Sequence, residues 1–179
     1  MSSRSVLVAS RSVRYLRNNV GEGLRTSLVG RWSKMWLPFV VYLLVALGVA
    51  LSSMDLFPVS LPSFWKVLLL PPVLVVFPSL LEEVFFRGVL LPRRLADAQP
   101  FERFAAVTVS TAIFTVWHPI NHWLLSFTDT SLFVEPAFLV IVVALGYACA
   151  YAYLRTGSLW APIFIHWATV VMWNLFFGR

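Results

Sequence analysis

Apolar residues fall into five long runs separated by short polar segments. The first runs from Trp36 to Met54 and carries no charged side chain. The second, about Phe64 to Leu91, contains Pro71, Pro72 and Pro78. The third is about Phe104 to Trp117, the fourth about Pro136 to Leu154, and the fifth about Leu159 to Phe177. A membrane-crossing helix needs about 20 mostly apolar residues. The pattern therefore predicts an all-α fold, a polytopic membrane helix bundle with about five transmembrane helices. The second run is too long for one straight span. Its helix starts at Pro71 or Pro72, where proline suits a first turn, or follows a short interfacial segment from Phe64 to Leu70. Pro78 then kinks the remainder and frees the carbonyl of Leu74. In a membrane such a group has to face protein or water.

Composition supports the same class. Of the 179 residues, 59% are hydrophobic and only 12% charged, whereas a soluble domain has roughly 45–50% and about 25%. A chain this small cannot hide so much apolar surface from water. The single cysteine, Cys149, lies in an apolar run; it reads as a packing residue, and a Cys-based metal site is excluded.

The net charge of +6 is unevenly spread. Seven of the fourteen Lys/Arg lie in the first 34 residues, opposed only by Glu22. Residues 1–35 are accordingly set apart as a basic tail, and 36–179 as the transmembrane domain. The tail reads as a segment held at an anionic membrane face or as an Arg- and Ser-rich organelle transit segment. No nucleic-acid-binding fold follows it, so nucleic acid is not an expected partner. Basic and non-basic loops then alternate. The loop at 52–63 has Asp55 and no Lys/Arg, that at 92–103 has Arg93, Arg94 and Arg103, that at 119–135 has none, and Arg155 precedes the last. The alternation predicts five spans with the N-terminus on the cytoplasmic (or stromal or matrix) side. Lys66 lies on the opposite side and snorkels to the interface.

Ionisable groups within lipid are functional suspects. The second run holds Glu82, Glu83 and Arg87, the third ends at His118, and the fifth holds His166. Glu83 and Arg87 are four apart and share a helix face, so they pair. Glu82 is five from Arg87, and its own i+4 neighbour is Phe86. Glu82 is left without a local counter-charge in an apolar setting, which makes it the better general-base candidate. Glu83 and Arg87 become its electrostatic support. A carboxylate with two histidines from neighbouring helices has two uses. It can activate a water for attack on a peptide carbonyl, or it can bind zinc, for which Glu82, His118 and His166 are the candidate ligands. Rise per residue puts Glu82 ~13 Å and His166 ~12 Å into their helices but His118 ~21 Å from Phe104. A tilted third helix, or one starting after Phe104, removes that mismatch. His122, one turn on, reads as a structural loop histidine, and Trp117 and Trp123 as interfacial anchors.

The ordered set Glu82-Glu83-x-x-x-Arg87, Phe114-x-x-x-His118 and His166 resembles the CPBP family, which includes the type II CAAX prenyl proteases and bacteriocin-processing relatives. The resemblance covers about residues 70–177. It implies a helical intramembrane protease fold in which Glu82 and His118 activate water. His166 binds that water or stabilises the oxyanion, and Glu83 and Arg87 order the site. The substrate implied is a membrane protein or lipidated peptide. Both metal-dependent and metal-free glutamic mechanisms are described for members, so zinc stays an open cofactor. The family's Asn or Asp four residues after the last histidine is Val170 here. Asn174, about 80° around the helix and ~12 Å along it, does not substitute; Asn121 or a backbone amide is the remaining donor. A membrane partner subunit would supply helices that other members place before the core. The leading expectation is an intramembrane endopeptidase. The alternatives are a catalytically weak or inactive membrane scaffold of the same fold and, third, a proton-coupled transporter, which the lack of paired repeats disfavours.

Overall fold

The computed structural model describes residues 13–53, 62–124 and 131–176. It contains six helices and, among the described residues, no strand. Helix α1 covers residues 13–25. It is followed by α2 (Trp32–Ser53), α3 (Phe64–Val89), α4 (Pro100–Leu124), α5 (Pro136–Thr156) and α6 (Trp160–Phe176). Each of the five apolar runs is thus helical. By length and composition α2, α3 and α5 can each cross a membrane. The other two are less suited: α6 has only 17 residues, and polar positions such as Ser110, Thr111, His118 and Asn121 dilute α4. The architecture is a helical membrane bundle.

Helix α5 is the hub, with α2, α4 and α6 all packed on it. Its buried face is built from small residues, including Gly146, Ala148, Cys149 and Ala152. Small side chains let helix backbones approach closely, which is how membrane helices gain van der Waals contact without a hydrophobic driving force. At Gly146 the approach is tightest. A Cβ there would lie 2.7 Å from Thr111 Cγ2 on α4.

Helix α3 bends where its prolines direct. Phe77 has extended backbone angles (φ −130°, ψ 123°) inside an otherwise helical run. The ring of Pro78 disfavours helical angles in the residue before it. Pro71 and Pro72 sit inside the helix, not at its start, which is Phe64 behind the capping Ser63. Trp167 of α6 donates to the Pro71 carbonyl at 2.9 Å, so protein covers the backbone at this level. Around Glu82 a single α-helical turn, Leu81–Glu83, lies between underwound π-helical stretches at Val75–Leu80 and Val84–Val89.

Two readings of α4 need correction. The helix does not end at His118, and His122 is not in a loop: α4 continues through Pro119 to Leu124. Membrane helices tolerate an internal proline because neighbouring groups re-satisfy the freed carbonyl. Nor does α4 start late, for it begins at Pro100.

The C-terminal ends of α1 and α5, the N-terminal end of α6 and the segment after α3 lie together, with Arg31 and Arg93 among them. Gly157, left-handed at φ 67°, terminates α5, a conformation glycine adopts without steric penalty. Arg31 donates to the Thr156 carbonyl beside it, placing a cation at the negative end of the helix dipole. Ser158 donates to the Thr26 carbonyl at 2.6 Å and Trp160 to that of Leu24 at 2.8 Å. The described part of the basic segment is therefore bonded onto the bundle.

Candidate active site

Glu82, Glu83 and Arg87 come from the second half of α3, Trp117 and His118 from α4, and His166 from α6. The pair that the i, i+4 spacing predicts is formed. Arg87 Nη1 lies 3.1 Å from Glu83 Oε1, and both side chains are 0% exposed. Arg87 Nη2 also donates to the Gly146 carbonyl at 3.1 Å, and its guanidinium lies 4.5 Å from the centre of the Phe114 ring, within cation–π range. An isolated charge is not tolerated in such a place. Here the cation is held by a carboxylate, a carbonyl and an aromatic face.

Glu83 has a second partner. His166 Nδ1 lies 2.9 Å from the same Oε1, so the carboxylate takes a hydrogen from the imidazole as well as from Arg87. A ring nitrogen that donates to a carboxylate fixes the tautomer and leaves the other nitrogen as an acceptor. That other nitrogen, Nε2, faces Glu82 Oε2 at 3.9 Å. Glu82 Oε1 accepts from the indole N–H of Trp117 at 3.2 Å, whereas Oε2 has no hydrogen-bond partner among the described residues. The Glu82 side chain is 13% exposed against 0% for Glu83, so of the two side chains it is the less deeply buried, although its Oε2 atom is itself buried.

His118 is buried, and its Nδ1 is 2.9 Å from the Phe114 carbonyl; a carbonyl only accepts, so Nδ1 carries the hydrogen and Nε2 the lone pair. The two imidazoles do not touch. Both pack edge-on against Phe114, with ring centres 4.9 Å away for His118 and 5.7 Å for His166. Residues 114–118 of α4 are thus level with Glu82 and His166, which disposes of the depth mismatch without a later start of the helix. The first turn of α4, with Glu102 and Arg103, lies beyond that level.

A zinc ion needs its donors about 2.0–2.2 Å away on every side. No three His, Cys, Asp or Glu converge in that way among the described residues. Glu82 and His166 approach each other, while His118, its Nδ1 bonded to the Phe114 carbonyl, is packed among Phe114, Phe133 and Phe138. What Glu82 Oε2 and His166 Nε2 do offer is two acceptors 3.9 Å apart. One water, with hydrogen bonds of about 2.8 Å, spans that separation and can donate to both.

The model of one protein family, described as Type II CAAX prenyl endopeptidase Rce1-like, matches residues 63–172. The chain belongs to this family. No curated protein and no solved structure matches it significantly. The Rce1-like match takes in α3 to α6 with every residue of the cluster, and begins after α1 and α2.

Two members of the cluster escaped the sequence reading. Trp117 was expected to anchor at the interface and instead binds Glu82. Phe114, the first position of the motif that ends at His118, is the ring on which Arg87, His118 and His166 all pack. Their common signal is position: Phe114, Trp117 and His118 share one face of α4 at spacings of three and four. Asn174 donates to the Val170 carbonyl of its own helix at 2.8 Å, so its amide is engaged away from the cluster.

Proposed function

We propose that the protein is an intramembrane endopeptidase that hydrolyses a peptide bond of a membrane-associated substrate, with water activated by Glu82. The observation that carries this reading is the facing pair of acceptors, Glu82 Oε2 and His166 Nε2, 3.9 Å apart in an otherwise apolar bundle. A water donating to both turns a lone pair outward, toward a substrate carbonyl carbon. Attack forms the C–O bond and passes the water's proton to Glu82. Collapse of the tetrahedral intermediate breaks the C–N bond, and Glu82 returns the proton to the leaving amine. Glu83 and Arg87 hold His166 in the acceptor tautomer, and Trp117 fixes the far carboxylate oxygen. His118 Nε2 is the remaining polar group for the reacting carbonyl or the leaving amine.

The family description names prenylated substrates, so a prenylated peptide is the first to test. We place the N-terminus, with the basic ends of α1, α3 and α5, on the cytoplasmic, stromal or matrix side, and α4 and α6 as the third and fifth spans. Purified protein in lipid vesicles is expected to release a C-terminal fragment from a prenylated peptide. Failure to cleave either that peptide or an unprenylated membrane-anchored peptide overturns the proposal.

Val170 favours a second reading, a non-catalytic scaffold of the same fold. It stands where the family places a polar side chain, and Asn174 does not replace it. That reading expects Glu82→Ala to leave cellular function intact while substitutions that loosen helix packing abolish it.

A further inference from the structure

A helix leaves its last four carbonyls without partners of its own, and the end of α3 is irregular. Its final stretch is π-helical, closed by Leu90 N–H donating to the Phe85 carbonyl at 3.1 Å. The carbonyls beyond are taken up by side chains from elsewhere. Ser110 of α4 donates to that of Phe86 at 3.0 Å. Those of Gly88, Val89 and Leu91 are served by α1. Tyr15 donates to the Val89 carbonyl at 2.7 Å, and the Asn19 amide lies 3.1 Å from the carbonyls of both Gly88 and Leu91. Asn19 Oδ1 in turn accepts from the Arg93 N–H at 3.0 Å. Asn19 is 6% exposed, and its own carbonyl accepts from Tyr153 of α5 at 3.3 Å. One amide therefore ties the end of α3, the chain after it and α5 together. Gly88 makes the approach feasible: a Cβ there would stand 3.1 Å from Val20 of α1.

We propose that Asn19 is a positioning residue of the hydrolytic site, clamping the end of the helix that carries Glu82, Glu83 and Arg87. The inference rests on the function proposed above and extends it to a segment outside the family match. Gly88 directly follows Arg87, whose two guanidinium nitrogens reach Glu83 and Gly146. Rotation of this last turn moves the guanidinium, and with it the carboxylate that holds His166 opposite Glu82. Asn19 touches none of the reacting atoms and acts only through α3.

The test is Asn19→Asp, which keeps the size and the acceptor for Arg93 but puts an acceptor against two carbonyls. Hydrogen–deuterium exchange of peptides spanning 84–93 is measured on the full chain in lipid nanodiscs, beside cleavage kinetics. Faster exchange confined to 84–93 is expected, with kcat down about ten- to a hundredfold, the cost of a displacement near 1 Å, and KM within about twofold. Unchanged exchange there, or wild-type kcat, overturns the clamp. Should Asn19→Asp fail to fold, Gly88→Ala takes its place, because its methyl group wedges α1 away. Val20→Ala in the same chain relieves the closer of the two tight contacts of that methyl group, 3.1 Å from Val20 and 3.3 Å from Leu159, and should move exchange back toward the wild-type pattern; no such movement overturns the clamp. The exchange arm needs no substrate, so a wild-type chain that cleaves nothing sinks the hydrolytic reading while exchange still decides the clamp.

Discussion

Glu83 Oε1 receives both Arg87 Nη1, at 3.1 Å, and His166 Nδ1, at 2.9 Å. One oxygen thus joins the buried cation of α3 to the imidazole of α6. The relationship divides the labour between adjacent glutamates. Glu83 is committed to structure, and Glu82, one position back and turned about 100° around the helix, keeps an unpartnered oxygen that faces His166 Nε2.

Removing the cation strands a buried carboxylate. Arg87→Met is expected to destabilise the protein by about 3–5 kcal/mol, the usual result of breaking a buried ion pair from one side. The double variant Glu83→Gln/Arg87→Met should regain a large part of that loss, because no uncompensated charge is left. Equilibrium unfolding in detergent across the four-member cycle measures it; equal losses in the single and double variants would show that the pair is not coupled.

Helix contact at Gly146 should be equally sensitive. Gly146→Ala places a methyl 2.7 Å from Thr111 Cγ2, and overpacking of this kind costs about 1–3 kcal/mol. It also disturbs the carbonyl that binds Arg87. Thr111→Ala removes the obstructing atoms, so the double variant should recover toward the wild-type melting temperature. A Gly146→Ala protein as stable as wild type would contradict the close approach of α4 and α5.

Trp117 should matter through its N–H. Trp117→Phe keeps an aromatic ring and loses the hydrogen bond to Glu82; a bond to a charged group contributes about 1.5–3 kcal/mol, so kcat should fall roughly ten- to a hundredfold with little change in melting temperature. Trp123→Phe, at a position 81% exposed on the same helix, serves as the control and should leave kcat unaltered. Equal behaviour of the two variants would return Trp117 to the interfacial role its sequence suggests.

The sidedness has its own test. Single cysteines are introduced at Arg94 and Glu135 and labelled with an impermeant maleimide; the native Cys149 is buried. Opposite sides are expected to label. Labelling of both from one side would mean that α4 does not cross the membrane.

The helices were legible because a lipid solvent demands long apolar runs, and the Glu83–Arg87 pair because i, i+4 neighbours meet on any helix. The kink before Pro78 followed from proline's steric demand alone. Other features depend on contacts that no local pattern encodes. Trp117 reaches Glu82 from 35 residues away, and a tryptophan near a helix end looks like an anchor whatever it binds. The extension of α4 past Pro119 runs against the helix-breaking effect that a proline has by itself. Helix α1 docks through Asn19 and Gly23, a polar residue and a glycine, which leave no trace in a hydropathy pattern. Its arginines, by contrast, dominate the charge count and mark residues 1–35 as a separate basic segment.

The central claim is that the Glu82 carboxylate takes a proton from water. Glu82→Gln keeps the shape of the side chain and its capacity to accept from Trp117, but removes the base. Cleavage of a prenylated peptide by the two proteins, reconstituted in the same vesicles, is the direct comparison. The account predicts a wild-type rate well above background and a Glu82→Gln rate at background. A Glu82→Gln protein that cleaves at the wild-type rate would contradict it.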